Sequence, residues 1–150
     1  MPCWLIKSEA DVYSIDALRR DKTTLWTGVR NYQARNYLCQ MKPGDQVLLY
    51  HSNSEPLAIV GIAEVKKAAI PDPLQFDSKS EYYDPKAGKD KPRWYAPELR
   101  FKEKFRAPIT REMLQNTPAL KNMLLLKKGS RLSVQPVSEA EFKAVLAQNE

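Results

Sequence analysis

Two cysteines, one histidine and five glycines are all that the 150 residues contain of these three types, and each shortage removes a class of chemistry. Cys3 and Cys39 stand far apart without a C-x-x-C pair. Neither a disulfide framework nor a zinc site is therefore expected, and both are read as reduced, buried thiols. None of the glycines builds a phosphate-binding loop or a dinucleotide fingerprint after a strand, which excludes P-loop and Rossmann chemistry. No apolar run reaches the roughly 18 residues of a membrane span. The start Met1-Pro2-Cys3-Trp4 lacks the basic then long apolar pattern of a secretory leader. A soluble, cytoplasmic protein with no membrane partner is expected.

What is present fits one globular domain spanning 1–150, with hydrophobic residues at 43% and charged residues at 28%. A chain of this length buries enough surface to fold without a metal or disulfide, so no cofactor is called for. The net charge of +6 favours polyanionic partners, because positive potential speeds encounter with phosphate backbones.

Residues 3–7 read as a first, central strand. Ser14 then caps a helix carrying Ile15 and Leu18 with a basic end at Arg19-Arg20. Residues 23–29 read as loop, and Asn31 opens a second helix through Gln33, Ala34, Leu38 and Met41. Pro43-Gly44 suits a type II turn into a strand over 46–52. A turn at 53–56 leads to an apolar strand over 58–65, so these two pair most simply as a hairpin. Pro71-Asp72-Pro73 breaks the chain, and residues 75–92 read as a long polar surface loop, mobile or functional. Residues 94–105 alternate as a strand with Leu99, Phe101 and Phe105 on one parity, and Pro97 marks an edge or bulge. Thr110 caps a short helix, Thr117-Pro118 starts another, and 132–137 forms the last strand. Ser138 with Glu141 is a capping box opening a terminal helix that buries Phe142, Val145 and Leu146. About five to six strands among short flanking helices predict an α+β domain on a small, partly closed β-barrel.

The densest segment is Trp26-Thr27-Gly28-Val29-Arg30-Asn31-Tyr32-Gln33-Ala34-Arg35-Asn36-Tyr37. It mixes an indole, two phenols, two guanidiniums and several amides. An aromatic face stacks on a nucleobase, amides bond its polar edge, and Arg30 and Arg35 would hold the phosphate backbone. The structural alternative is a core tryptophan followed by an ordinary amphipathic helix. Trp4 reads as core, while Trp94, beside Arg93 and Tyr95, divides evenly between core and site. Lys79, Lys86, Lys89, Lys91 and Arg93 belong to a solvated loop, and Lys66, Lys67, Lys102, Lys104, Arg106, Lys127, Lys128 and Arg131 are scattered.

Four segments together carry a family resemblance: Trp4-Leu5-Ile6-Lys7-Ser8-Glu9, the Trp26 to Asn36 stretch, Gly44-Asp45 leading to Tyr50-His51-Ser52, and Arg131-Leu132-Ser133-Val134-Gln135-Pro136-Val137. In order and spacing they resemble the EVE domain of the PUA-like superfamily, the family of the thymocyte nuclear protein. Ala10 stands where that family often has proline. The resemblance implies a β-barrel with flanking helices and a pocket for a modified base, such as a modified cytosine, flipped from a duplex; the sequence leaves DNA or RNA open, with modified DNA the favoured partner. Its implied pocket residues are Trp26, Asn31, Tyr32, His51 and Ser52, with Lys7 and Ser8 at the edge. No metal and no catalytic residue is implied, and a nuclease or helicase acting alongside is left open. The sole histidine, His51, has no serine or cysteine nucleophile elbow beside it, so a structural or ligand-contact role is expected. The alternative is an amidohydrolase acting on a modified nucleoside, like the related ASCH barrels, with Lys7, Glu9 and Thr27 or Ser52 as base, acid and nucleophile.

Overall fold

A computed structural model describes residues 3–52, 56–127 and 132–149. Most of the turn expected at 53–56, together with Lys128 and Arg131, lies outside the described residues. Six strands form one mixed sheet: β1 (Cys3–Ser8), β2 (Thr23–Leu25), β3 (Gln46–His51), β4 (Ala58–Pro71), β5 (Tyr95–Thr110) and β6 (Val134–Val137). Their order is β2-β5-β4-β3-β1-β6, with β1 parallel to β3 and every other pair antiparallel.

The apolar runs of β1 and β3 follow from burial on both faces. Alternate side chains enter opposite layers, so a strand covered on both sides has no polar positions to offer. Trp4, Ile6, Val47 and Leu49 face one layer, with Ile15 and Leu18 of α1 (Ile15–Asp21) and Ala34 and Leu38 of α2 (Tyr32–Gln40). Cys3, Leu5, Leu48 and Tyr50 face the other, with Leu114 of α3 (Arg111–Gln115) and Phe142 and Val145 of α4 (Glu139–Ala147). Each of these helices begins where the sequence signals it. Ser14, Asn31 and Thr110 accept from the backbone N–H three residues on, and Ser138 with Glu141 closes both halves of a capping box. Trp4 is core, with its indole N–H donated to the buried Asp45 carboxylate at 3.0 Å.

The antiparallel centre is as expected, but several features differ. Residues 23–25 are a strand, not loop, because they find a partner at the edge of β5, Thr24 opposite Leu99. The strands expected over 58–65 and 94–105 extend to Pro71 and Thr110 and wrap along each other with four register shifts. Those shifts break the expected parity of β5. Leu99 lies in the α1/α2 layer and Phe105 in the opposite one, because extra residues between them reverse which side faces the core. Gly61 sits in the same stretch, where a Cβ would stand 2.4 Å from the Glu103 carbonyl oxygen. The sheet is open, ending at β2 and β6, so barrel closure is not found among the described residues. Of the two thiols expected to be buried, Cys3 is and Cys39 is exposed; neither forms a disulfide. Cys39 lies on a solvent-facing position of α2, whose buried residues are Ala34 and Leu38.

Candidate functional site

The site forms where three segments meet at one end of β1. The strand supplies Lys7 and Ser8, and its main chain is fixed by the Lys7 N–H donating to Ser133 O at 2.9 Å. The tight turn after it follows from Val12 and Tyr13 N–H both donating to Glu9 O at 3.0 and 2.9 Å. The third segment, running from Trp26, leaves β2 with the Trp26 N–H on Pro97 O at 2.9 Å. Between them lies a cavity of about 540 Å³ lined by Lys7, Ser8, Glu9, Tyr13, Trp26 and Thr27, with Gly28, Arg30 and Tyr82 closing one side. That volume is typical of small-ligand sites, about 300–1,000 Å³. The half-buried Trp26 ring meets Tyr13 edge-on at 5.9 Å between centroids and 83° between planes. The Tyr13 hydroxyl is tethered to Asp21 at 2.8 Å, which fixes that ring in turn.

Asp72, fully buried, holds this arrangement together. One carboxylate oxygen accepts from Gly28 N–H at 2.8 Å and Arg30 Nη1 at 3.0 Å, and the other from Leu74 N–H at 2.8 Å. Arg30 also donates from Nε and Nη2 to Tyr82 O at 3.1 and 2.9 Å and covers the Tyr82 ring at 5.4 Å. Gly28 has φ +88, and a Cβ there would come within 3.0 Å of the Tyr82 ring. Glycine is thus required both by its backbone and by the close approach.

The long segment that carries Tyr82 is pinned at both ends. Gln75, fully buried, donates to Asp72 O and Trp94 O at 2.8 Å each. Its carbonyl accepts from Arg93 and Trp94 N–H at 2.9 Å each. Trp94 donates its indole N–H to Asp84 at 2.8 Å. Every amide and carbonyl of Gln75 is used, so the two strand ends and the loop form one cross-linked unit. Trp94 is buried under Tyr32, which stacks on it at 5.0 Å and 27°.

The structure brings Trp26, Lys7, Ser8 and Arg30 to the cavity, and the other expected site residues are engaged elsewhere. Asn31 is the N-cap of α2, accepting from Ala34 N–H at 2.9 Å. Tyr32 lies outside the cavity lining, half exposed, with Arg35 4.9 Å from its ring and Arg93 hydrogen-bonded to its hydroxyl. His51 is buried, and its Nε2 accepts from Ile15 N–H at 3.3 Å, which places its proton on Nδ1. Ser52 contacts Ser8 O through its backbone N–H at 2.9 Å and its hydroxyl at 3.5 Å. The phosphate contacts expected of Arg30 and Arg35 compete with bonds already made. Arg30 holds Asp72 and Tyr82, and Arg35 donates to Arg93 O at 3.1 Å and to Asn36.

Burial tunes several of these groups. It lowers the Lys7 ammonium below the ordinary lysine value, with the positive charge of Arg111 acting the same way. It lowers His51, Lys104 adding to the effect and Asp16 opposing it. It raises the phenols of Tyr13 and Tyr82, and for Tyr82 the negative charges of Glu81 and Glu9 contribute further.

Sequence reasoning missed Tyr82, Tyr13, Asp72 and Ser133. Tyr82 sits in an aperiodic polar stretch whose only cue is the pair Tyr82-Tyr83, whereas Asp72 was marked by the prolines on either side of it.

The EVE domain family model matches residues 2–148. Chicken thymocyte nuclear protein 1 is 40% identical over 98% of this chain and 68% of its own length. A crystal structure of a Pseudomonas syringae protein is similar with a TM-score of 0.94 and 41% identity, covering 98% of this chain and 99% of that one. The human THYN1 protein, crystallised in complex with 5-methylcytosine-containing DNA, is similar with a TM-score of 0.92 and 36% identity, covering 100% of this chain and 98% of that one. The six-stranded sheet with its short helices is the PUA-like fold of these neighbours, with the sheet open.

Proposed function

The chain belongs to the EVE domain family, and on that premise we propose that it is a non-catalytic module binding a modified base of DNA, such as 5-methylcytosine, turned out of the duplex into the cavity beside Trp26. The observation that carries this reading is the Trp26 indole, held edge-on by Tyr13 in the wall of a cavity that Lys7, Ser8, Glu9 and Thr27 also line. The human relative that aligns along the whole chain was solved with 5-methylcytosine-containing DNA, which supports the same ligand here.

In this reading a flipped base stacks on Trp26, and Lys7, Ser8 and Thr27 meet its polar edge. Extrusion costs a few kcal/mol, offset by stacking of about 1 to 3 kcal/mol and by those edge contacts. Ser52 supports the Ser8 wall through its bonds to Ser8 O, while Asn31 and His51 fix the starts of α2 and α1. Arg30 serves by holding Tyr82 over Gly28, and Tyr32 with Arg35 buttresses Trp94. A nucleophilic mechanism has little to work with: the His51 Nε2 is occupied by a backbone N–H, and the Ser8 hydroxyl donates to Tyr13 O.

One observation favours the hydrolase reading, namely that Lys7, Glu9 and Thr27 share the cavity and the Lys7 ammonium is lowered by burial. Incubation with N4-acetylcytidine separates the two readings. Release of acetate that depends on Lys7 would establish an enzyme, and intact substrate at stoichiometric protein supports a reader.

The reading is tested by Trp26→Ala. Affinity for a 5-methylcytosine oligonucleotide should fall by about 1 to 3 kcal/mol at a temperature where the variant, which loses packing against the core and Tyr13, is still fully folded. Unchanged affinity in a folded variant would place the site elsewhere.

A further inference from the structure

Stacking on Trp26 cannot separate 5-methylcytosine from thymine. Both rings carry the C5 methyl and the O2 carbonyl, and they differ at positions 3 and 4: cytosine presents a ring-nitrogen acceptor and an amino donor, thymine an N–H donor and a carbonyl acceptor. An acceptor placed against the 4-amino group tells them apart, and a carboxylate is the strongest one.

Among the described lining residues, Glu9 is the one carboxylate. Its main chain is fixed at the rim, its carbonyl accepting from Val12 N–H, Tyr13 N–H and the Ser8 hydroxyl at 3.0, 2.9 and 3.4 Å. Its side chain is exposed at that rim and makes no hydrogen bond or ion pair with any described residue. Its negative charge adds slightly to the burial that raises the Tyr82 phenol, which lines the same cavity. Glu9 therefore brings a carboxylate to the same cavity that Trp26 and Tyr82 line.

We propose that Glu9 determines the base class of the site: its carboxylate accepts the exocyclic amino group of a cytosine-type base and repels the O4 carbonyl of thymine. The inference rests on the base-pocket reading above. It narrows the ligand from any flat modified base to one bearing an amino group at the edge that meets the rim. The exposure of Glu9 keeps the effect moderate, because water competes for both partners.

The test uses the full chain with two single-stranded oligonucleotides that differ only in one 5-methylcytosine or thymine at the same position, which removes the cost of extrusion. Wild type should prefer 5-methylcytosine about tenfold. Glu9→Gln, whose amide can accept from an amino group or donate to a carbonyl, should bring the two within about twofold by gaining affinity for thymine and losing it for 5-methylcytosine. Trp26→Ala should weaken both. A preference that survives Glu9→Gln, or no preference in a wild type that binds both through Trp26, overturns the role of Glu9 and leaves the pocket standing. Binding of neither oligonucleotide, or binding indifferent to Trp26→Ala, overturns the pocket and the inference together.

Discussion

Replacing Asp72 by alanine should cost more than any other single polar change at the site. The carboxylate is fully buried and accepts three hydrogen bonds, from Gly28 N–H, Arg30 Nη1 and Leu74 N–H. Removal strands two backbone donors, each about 1 to 3 kcal/mol when buried without a partner. It also leaves Arg30 without its anion. With the Arg30 side chain 20% exposed, its guanidinium recovers part of that loss from water. Breaking a buried pair costs about 3 to 5 kcal/mol, and we take that range for the whole substitution because the three losses share one group and are not additive. Asp72→Asn keeps an acceptor on one side but turns an amide N–H toward a donor on the other, so a loss of about 2 kcal/mol is expected. Urea unfolding followed by tryptophan fluorescence measures both. Because Asp72 ties the Trp26 segment to the chain that carries Tyr82, oligonucleotide affinity should fall in the Asn variant even at temperatures where it is fully folded. A loss under about 1 kcal/mol for Asp72→Ala would mean that the hub contributes little, and the account of how the cavity wall is held would be wrong.

Two further outcomes follow from local geometry. Gly28→Ala should destabilise by about 1 to 3 kcal/mol, because φ +88 strains an L residue and the new methyl meets the Tyr82 ring at 3.0 Å; a neutral melting temperature would contradict both reasons. His51 has its pKa lowered by burial, so above about 6.5 its neutral form is present in both states and stability is full. As pH falls below that value the unfolded chain binds the proton first, and stability declines until the lowered folded pKa is passed. Urea midpoints at about pH 7.5 and pH 5.5 should differ more in wild type than in His51→Gln, and equal differences would refute the assignment.

Much of the fold was legible because it rests on local rules. Ser14, Asn31, Thr110 and Ser138 each announced a helix start by offering an oxygen to an orphan N–H. The runs around Leu5 and Leu48 announced strands, the first of them as a central one buried on both faces. Strand extent and closure were not legible. The register shifts between β4 and β5 depend on the pairing of residues far apart in sequence, and period-2 alternation cannot anticipate an inserted residue. At the site, Trp26, Lys7 and Ser8 could be placed at the cavity because they lie in conspicuous motifs. Asn31 carries two signals at once, that of a base-reading amide and that of a helix cap, and its side chain satisfies the cap. Arg30 and Arg35 likewise look like phosphate contacts by type, yet nearby carbonyls, Asp72 and aromatic rings claim their donors. Tyr82 could not be foreseen, since long-range bonds through Gln75, Asp72 and Arg30 bring its segment to Gly28.

The most direct test of base extrusion is a titration of duplexes that carry one 5-methylcytosine, either correctly paired or opposite a mismatch, at fixed salt. A mismatched base has lost part of the few kcal/mol that hold it in the stack, so less binding energy is diverted into turning it out. A pocket that takes the base out should bind the mismatched duplex more tightly, and Trp26→Ala should weaken binding to both duplexes. Equal or weaker binding to the mismatch would contradict extrusion, as expected for a protein that reads the groove of an intact pair.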